Sequence, residues 1–178
     1  MSSTQLDGSH TPAKRGGEAV GYQGRKKSKT TNSLFLTDKT GLPLAMSNPV
    51  GGNHNDLFEI EKSFLKILSD LNLSGIDSNG LFMNADAGFD SEGFRKICFA
   101  NDIIANIDFN KRNSKNIDNQ PLLDDQLYKE RFSVERTNAW MDAFKTLLVR
   151  FETKTETWLS LHYLAFALIL IRFKTNHF

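Results

Sequence analysis

The sequence predicts an α/β layer fold, and three observations carry that prediction. Short apolar runs of strand length alternate with stretches of 3.6-residue periodicity, in the order strands, helix, strand, helix, strand, helices. The chain has 178 residues, enough for a single domain over 1–178. The residues AVILMFWYC make up 39%, and twelve glycines bring the apolar share near the usual level, so a core can form and a wholly disordered chain is excluded. No internal repeat is present.

Each element has its own signal. Ser3-Thr4-Gln5-Leu6 reads as a first strand with Asp7 at its end. Residues 8–31 read as a basic loop, with Lys14, Arg15, Arg25, Lys26, Lys27 and Lys29 against the single acid Glu18. Ser33 to Thr37, the turn Asp38-Lys39-Thr40-Gly41 and Leu42 to Met46 make a hairpin pattern that stops before Asn48-Pro49. Asp56 to Leu71 places Leu57, Ile60, Phe64, Leu65 and Leu68 on a helical period, and Asp56 with Glu59 resembles a capping box. Gly80 to Met83 reads as a short buried strand running into Asn84-Ala85-Asp86. Ser91 to Ala100 follows as a helix and Ile103 to Ile107 as another strand. Residues 110–128 read as a long polar loop. Arg131 to Phe151 reads as one helix, with Trp140 in its core-facing stripe. The stretch 153–173 reads as a second, more apolar core helix.

Charge and cysteine usage narrow the class. Twenty-two Lys+Arg against 21 Asp+Glu leave a net charge of +1, so only the distribution of charge can point to a partner. The lone Cys98 cannot form an internal disulfide and reads as a small buried hydrophobe, which suggests a reduced, cytoplasmic setting. Met1 to Gln5 carry no apolar segment of signal-peptide type. The run Trp158 to Ile171 is interrupted by Ser160 and His162 and falls short of the ~20 residues of a membrane span, so no membrane partner is expected.

Three acids stand out. Asp7 and Asp86 lie at strand ends, and Glu135 lies on the helix after the last strand. In open α/β sheets such positions converge at the carboxyl ends of the strands, where ligands bind. Hard oxygen ligands suit Mg²⁺ or Mn²⁺, and a pair of such ions can clamp an in-line phosphoryl displacement. Gathered without metal, the three acids oppose one another's ionisation, so at least one is expected with a raised pKa.

The chain resembles the catalytic domain of IS5-type DDE transposases, within the IS4-like group of insertion-sequence enzymes. The resemblance rests on an ordered set of stretches. These are Leu6 to His10 with Lys14 to Gly17; Gly24 to Lys27; Leu36 to Asp38 and Gly41 to Ala45; Gly52 to Asp56; Asn84 to Asp90; Tyr128 to Arg131 with Val134 to Arg136, Ala139 and Trp140; and Leu164 to Ile169. It implies an RNase H-like mixed five-stranded sheet with helices on both faces. It also implies a DDE triad at Asp7, Asp86 and Glu135 holding two Mg²⁺ or Mn²⁺ ions. Tyr128, Arg131 and Glu135 match the family's Tyr-x2-Arg-x3-Glu signature. The lysine usual seven positions after the glutamate is replaced by Asp142, with Lys145 one turn further as a substitute.

Other residues carry two readings each. Arg25, Lys26, Lys27 and Lys29 either neutralise DNA phosphates or form a solvated loop. Arg131 and Arg136 read as further phosphate ligands. His10 either orients Asp7 or contacts phosphate, or is an ordinary loop histidine. Asn53, His54 and Asn55 precede a helix start, so they make either an anion site or plain cap chemistry.

The resemblance implies cleavage at transposon ends and strand transfer into target DNA, in the bacterial cytoplasm at the nucleoid, with a dimer in the active complex. Relatives usually carry a helical DNA-binding region before the first catalytic strand, and here Asp7 is the seventh residue. The chain is therefore expected either as the second frame of a frameshifted transposase, partnered by an upstream-frame DNA-binding protein, or as a truncated copy. The alternative function is a non-catalytic fragment that binds DNA or dimerises with intact transposase and dampens it.

Overall fold

The computed structural model describes residues 3–110 and 122–176. Its strands are β1 (Thr4–Pro12), β2 (Gly21–Gln23), β3 (Ser28–Asp38), β4 (Pro43–Met46), β5 (Val50–Gly51), β6 (Phe82–Ala85) and β7 (Ile104–Ile107). Its α-helices are α1 (Ile60–Leu73), α2 (Glu92–Ala100), α3 (Asp125–Tyr128), α4 (Val134–Asp142), α5 (Lys145–Leu148) and α6 (Thr155–Asn176).

The long strand β3 organises the sheet. β1 runs antiparallel along one of its edges, from Thr4 opposite Asp38 to Pro12 opposite Thr30. β2, β5 and β4 succeed one another along the other edge, all antiparallel. Beyond β1 the sheet continues in parallel through β6 and β7. The order β4-β3-β1-β6-β7, antiparallel then parallel, is the RNase H-like arrangement. β2 and β5 bring the sheet to seven strands rather than five; at three and two residues they are too short to show an alternating pattern.

Pleating of β3 sends its apolar residues to two cores. Leu34 and Leu36 join Leu6, Met83 and Ala85 under α1 and α2, which contribute Phe64, Ile67, Leu71, Phe94 and Cys98. Phe35 and Met46 face the opposite side, with Met141, Leu147, Trp158, Ala165, Phe166 and Ile169 from α4, α5 and α6. Cys98 is buried as expected, and Trp140 is a half-buried flank of the second core.

Several boundaries differ from the sequence reading. β1 continues to Pro12, so Asp7 lies within the strand; the antiparallel partner β3 sustains it past Leu6, where β6 leaves. Residues 8–31 are therefore strand ends and a hairpin around turn 24–27 more than a loop. In the polar stretch 110–128, residues 111–121 lie outside the described residues, and 125–128 form α3. The helix expected from Asp56 starts at Ile60, with Glu59 in the left-handed region and no side-chain cap. Asp56 is engaged elsewhere, as the acceptor of a 2.7 Å hydrogen bond from Asn32 Nδ2.

The helix expected over Arg131 to Phe151 is broken. Residues Lys129–Ser133 are a 3-10 turn, α4 ends at Asp142, and Phe144 is extended. The physical cause is Arg150. Its backbone joins the end of β1, with Arg150 N donating to Pro12 O and Lys14 N donating to Arg150 O. Its buried guanidinium donates to Thr31 Oγ1 and Glu152 O and lies over the Trp158 ring.

The last helix also departs from expectation. α6 is 22 residues long, and Thr155–Thr175 is long and apolar enough to cross a membrane by length and composition. It is not a fully buried core helix. Trp158, His162, Ala165, Phe166 and Ile169 face inward, whereas Leu164, Leu168, Leu170 and Ile171 are exposed.

A ladder of buried amides crosses the sheet. Gln5, Asn84 and Asn106 sit side by side on β1, β6 and β7. Asn106 Nδ2 donates to Asn84 Oδ1, and Asn84 Nδ2 donates to Gln5 Oε1. The same groups bond the backbone of the returning chain: Asn84 Nδ2 to Leu127 O, Asn106 Nδ2 to Asp124 O, and Asp124 N to Asn106 Oδ1. Removing one member strands its partners without water. Asn106→Ala is expected to lower unfolding free energy by about 2–3 kcal/mol, read by urea denaturation. A loss under ~0.5 kcal/mol, the level of an ordinary surface change, would show that the ladder does not hold this segment.

Candidate active site

The parallel register sets the centre of the site. Leu6 pairs with Ala85, so Asp7 and Asp86 follow at adjacent positions where β1 and β6 diverge. Asp86 leaves the strand as the cap of a 3-10 turn, and its Oδ1 accepts from Gly88 N at 2.8 Å. Asp7 is half-buried. Burial pushes its carboxyl up to about 6, the nearby charges of Asp86 and then Asp56 add to this, and a hydrogen bond from the Gly8 backbone and the charge of Arg131 work against it. A raised acid was anticipated from mutual repulsion; burial proves to be the larger cause.

Tyr128 and Arg131 come to this centre through the amide ladder. The Arg131 guanidinium lies 5.4 Å from the Tyr128 ring centroid and 5.0 Å from that of Phe132. Among the described residues its Nε is buried without a hydrogen-bond partner. Burial raises the Tyr128 hydroxyl above its ordinary pKa, Arg131 lowers it, and Asp108 and Asp86 raise it. Neighbouring Glu130 accepts a hydrogen bond from Ser3 Oγ.

Glu135 stands apart. It is exposed in the first turn of α4 and is not among the groups whose charge acts on Asp7. The 3-10 turn before α4 breaks the α-helical phasing that would align Tyr128, Arg131 and Glu135 on one face. Arg136, one position on, donates to Thr40 O at 2.9 Å, and Thr137 Oγ1 donates to Gly41 O. These bonds dock α4 on the β3–β4 turn. Lys145 is exposed at the start of α5, beyond the break at Phe144, so it does not follow Glu135 along one helix.

The basic and accessory residues lie along the same strands. Arg25, Lys26, Lys27 and Lys29 are exposed at and beside the β2–β3 hairpin turn. Lys26 Nζ donates to His10 O, three residues from Asp7, or about 10 Å along the strand. His10 is half-buried near Thr30 Oγ1, and burial lowers its pKa while Asp56 opposes that. Asn53, His54 and Asn55 are not at a helix N-terminus, because α1 begins at Ile60. The Asn53 side chain packs where Cβ atoms on Gly21 and Gly51 would sit, and His54 stacks on Phe58 at 3.5 Å.

Two features were not legible beforehand. Asp56 reads as part of a capping box, and no pairing of the amides Gln5, Asn84 and Asn106 is read from the sequence. The phase of the three amides within their strands was the available signal for the ladder.

Among the described residues, no three His, Cys, Asp or Glu side chains converge closely enough to hold an ion together. The donor chemistry nonetheless fits a hard divalent cation. Mg²⁺ retains several waters and is held by one or two carboxylates plus substrate oxygens, and Asp7 and Asp86 supply two at adjacent strand positions. A cation there would relieve the burial and repulsion that oppose Asp7 ionisation.

Comparison with known proteins adds the family. The family model described as DDE superfamily endonuclease matches residues 6–171. No curated protein matches the chain. A similar solved structure is the cryo-EM structure of the simian T-cell lymphotropic virus intasome in complex with PP2A regulatory subunit B56 gamma, at 18% identity and a TM-score of 0.45. The match covers 79% of this chain and 38% of that one.

The raised carboxyl of Asp7 makes a stability prediction. Its folded pKa of about 6 exceeds the ordinary 3.8, so the folded state binds more protons between those values. The ionised form destabilises the metal-free protein above pH 6, and acidification toward pH 4 relieves it. Asp7→Asn is expected to stabilise the metal-free chain at pH 7.5 by about 2 kcal/mol, with the difference closing by pH 4 in urea denaturation. Buried His162, held down to about 4 chiefly by burial, has the opposite sign: its contribution is lost as pH falls from 6.5 toward 4. That decline should persist in the Asp7 variant.

Proposed function

The chain belongs to the DDE superfamily of endonucleases, and from that premise we propose that it is the catalytic domain of an IS5-type insertion-sequence transposase. The observation that carries the reading is the adjacency of Asp7 and Asp86 where two parallel strands diverge, with Arg131 acting on Asp7. In this reading Asp7, Asp86 and Glu135 hold two Mg²⁺ or Mn²⁺ ions, which requires Glu135 to move toward the two aspartates from its separate place in this structure. When bound, such ions polarise a phosphoryl oxygen and favour deprotonation of the attacking water or hydroxyl.

The chain's own residues bind and orient the substrate. Arg131, with a buried Nε that lacks a partner, donates to a non-bridging phosphate oxygen. Tyr128 supports the guanidinium and keeps one side of it from water. The exposed Arg25, Lys26, Lys27 and Lys29 follow the DNA backbone away from the centre, and Arg136 and Lys145 extend the basic surface along α4 and α5. The reaction is cleavage at the transposon end followed by attack of the freed 3′-hydroxyl on target DNA. Both steps are in-line displacements at phosphorus, so no organic cofactor is needed.

Nicking of supercoiled plasmid by the purified chain in Mn²⁺ or Mg²⁺ tests the assignment. Asp86→Asn is expected to cut at least ~10³-fold more slowly, a loss of ~4 kcal/mol of transition-state stabilisation. Undiminished cleavage by this variant would remove Asp86 from the site.

Salt dependence tests the hairpin separately. Each alanine at Arg25, Lys26, Lys27 or Lys29 should flatten the log-affinity against log-salt slope by about 0.9 per lost phosphate contact on duplex DNA. An unchanged slope in the quadruple variant would show that the hairpin does not touch DNA.

A further inference from the structure

We propose that Asp56 is a positioning residue of the Asp7–Asp86 site. From the turn ahead of α1, its carboxylate presses on Gly8, fixes the backbone that orients Asp7, and adds negative charge that sets the site's affinity for a divalent cation. The proposal rests on the reading that Asp7 and Asp86 hold such a cation.

The geometry begins with Gly8. A Cβ built there would fall within the Asp56 carboxylate, so the missing side chain is the space Asp56 occupies. Gly8 is also the residue whose backbone N–H favours the ionised form of the Asp7 carboxyl. Asp56 therefore bears on the peptide that aims the first acid of the proposed triad.

Asp56 is itself held firmly. Its Oδ1 accepts from Asn32 Nδ2 at 2.7 Å, and Asn32 is 1% exposed on β3, opposite His10 of β1. That bond replaces the cap Asp56 would otherwise give to α1, which starts four residues later without a side-chain cap. The helix thus forgoes the side-chain cap Asp56 could have given it.

The charge is left uncompensated. Asp56 is half-buried, and among the described residues it takes part in no ion pair. Its field reaches both Asp7 and His10. A half-buried carboxylate beside two others is costly for the metal-free chain and favourable once a cation is present. Asp56, outside the proposed triad, therefore acts on the charge of Asp7, as Asp86 does and Glu135 does not.

The test is calorimetric titration of the full chain with MnCl₂ at pH 7.5, for wild type, Asp7→Asn, Asp56→Asn, Gly8→Ala, Asp56→Ala and the Asp56→Ala/Gly8→Ala pair. Asp7→Asn should lose binding. Asp56→Asn keeps the shape and the contact with Asn32 but not the charge, and should bind about tenfold more weakly. Gly8→Ala should weaken binding similarly by displacing the carboxylate. Added to Asp56→Ala, it should do nothing further, because the clash is gone. In EDTA, Asp56→Asn should melt no lower than wild type, since a like charge has been removed.

Wild-type affinity in Asp56→Asn and Gly8→Ala, with binding lost in Asp7→Asn, would overturn the role of Asp56 and leave the site reading standing. Wild-type affinity in Asp7→Asn would overturn the site reading and this inference with it. If Asp56→Asn does not fold, the Gly8 cycle decides: additive weakening by Gly8→Ala and Asp56→Ala overturns the proposal, and non-additive weakening supports it.

Discussion

The buried amide ladder of Gln5, Asn84 and Asn106 is the interaction on which the site depends. Three polar side chains in the middle of a sheet are tolerable only if their donors and acceptors are met. Part of that demand is satisfied along the row, and the rest by backbone groups of Asp124 and Leu127. The returning chain is thereby seated against β1, β6 and β7, and Arg131 arrives within reach of Asp7 and Tyr128 within reach of Asp86. The same row pins the parallel register, and a one-residue slip would move Asp7 away from Asp86 and turn the amides into the apolar core.

The electrostatics around Asp7 run against stability. Burial and the charges of Asp86 and Asp56 oppose its ionisation, and Arg131 offsets only part of this. A metal-free fold selected for stability alone would place a neutral residue there, whereas stored negative charge of this kind is relieved by a cation. The second core shows the contrasting case. His162 is buried and its Nδ1 bonds Trp158 O, so it stays neutral at physiological pH and acts as a packing residue.

Arg150 shows how a single residue reshapes an element. A helix running through to Phe151 would have carried its guanidinium away from Thr31 and its backbone away from Pro12. Capturing both ties the chain after α5 to the ends of β1 and β3, at the cost of a break between α4 and α5. Lys145 falls after that break, which separates it from the helix that carries Glu135.

Apolar periodicity and turn chemistry determined the order of the main strands and helices and the place of Asp86 at a strand end, because a buried strand must be apolar and a strand end must turn. The helix beginning at Ser91 and the burial of Cys98 were legible for the same local reasons. What the tertiary structure decided was everything set by a distant partner. Asn32 took Asp56 from its expected cap, β3 carried β1 past Asp7, Arg150 broke the long helix, and the amide row drew Tyr128 and Arg131 to the centre while the 3-10 turn left Glu135 outside it. Hydrogen bonds across about 20 to 140 residues leave no periodic trace in the chain, because they depend on which buried groups lack a partner once the sheet has formed.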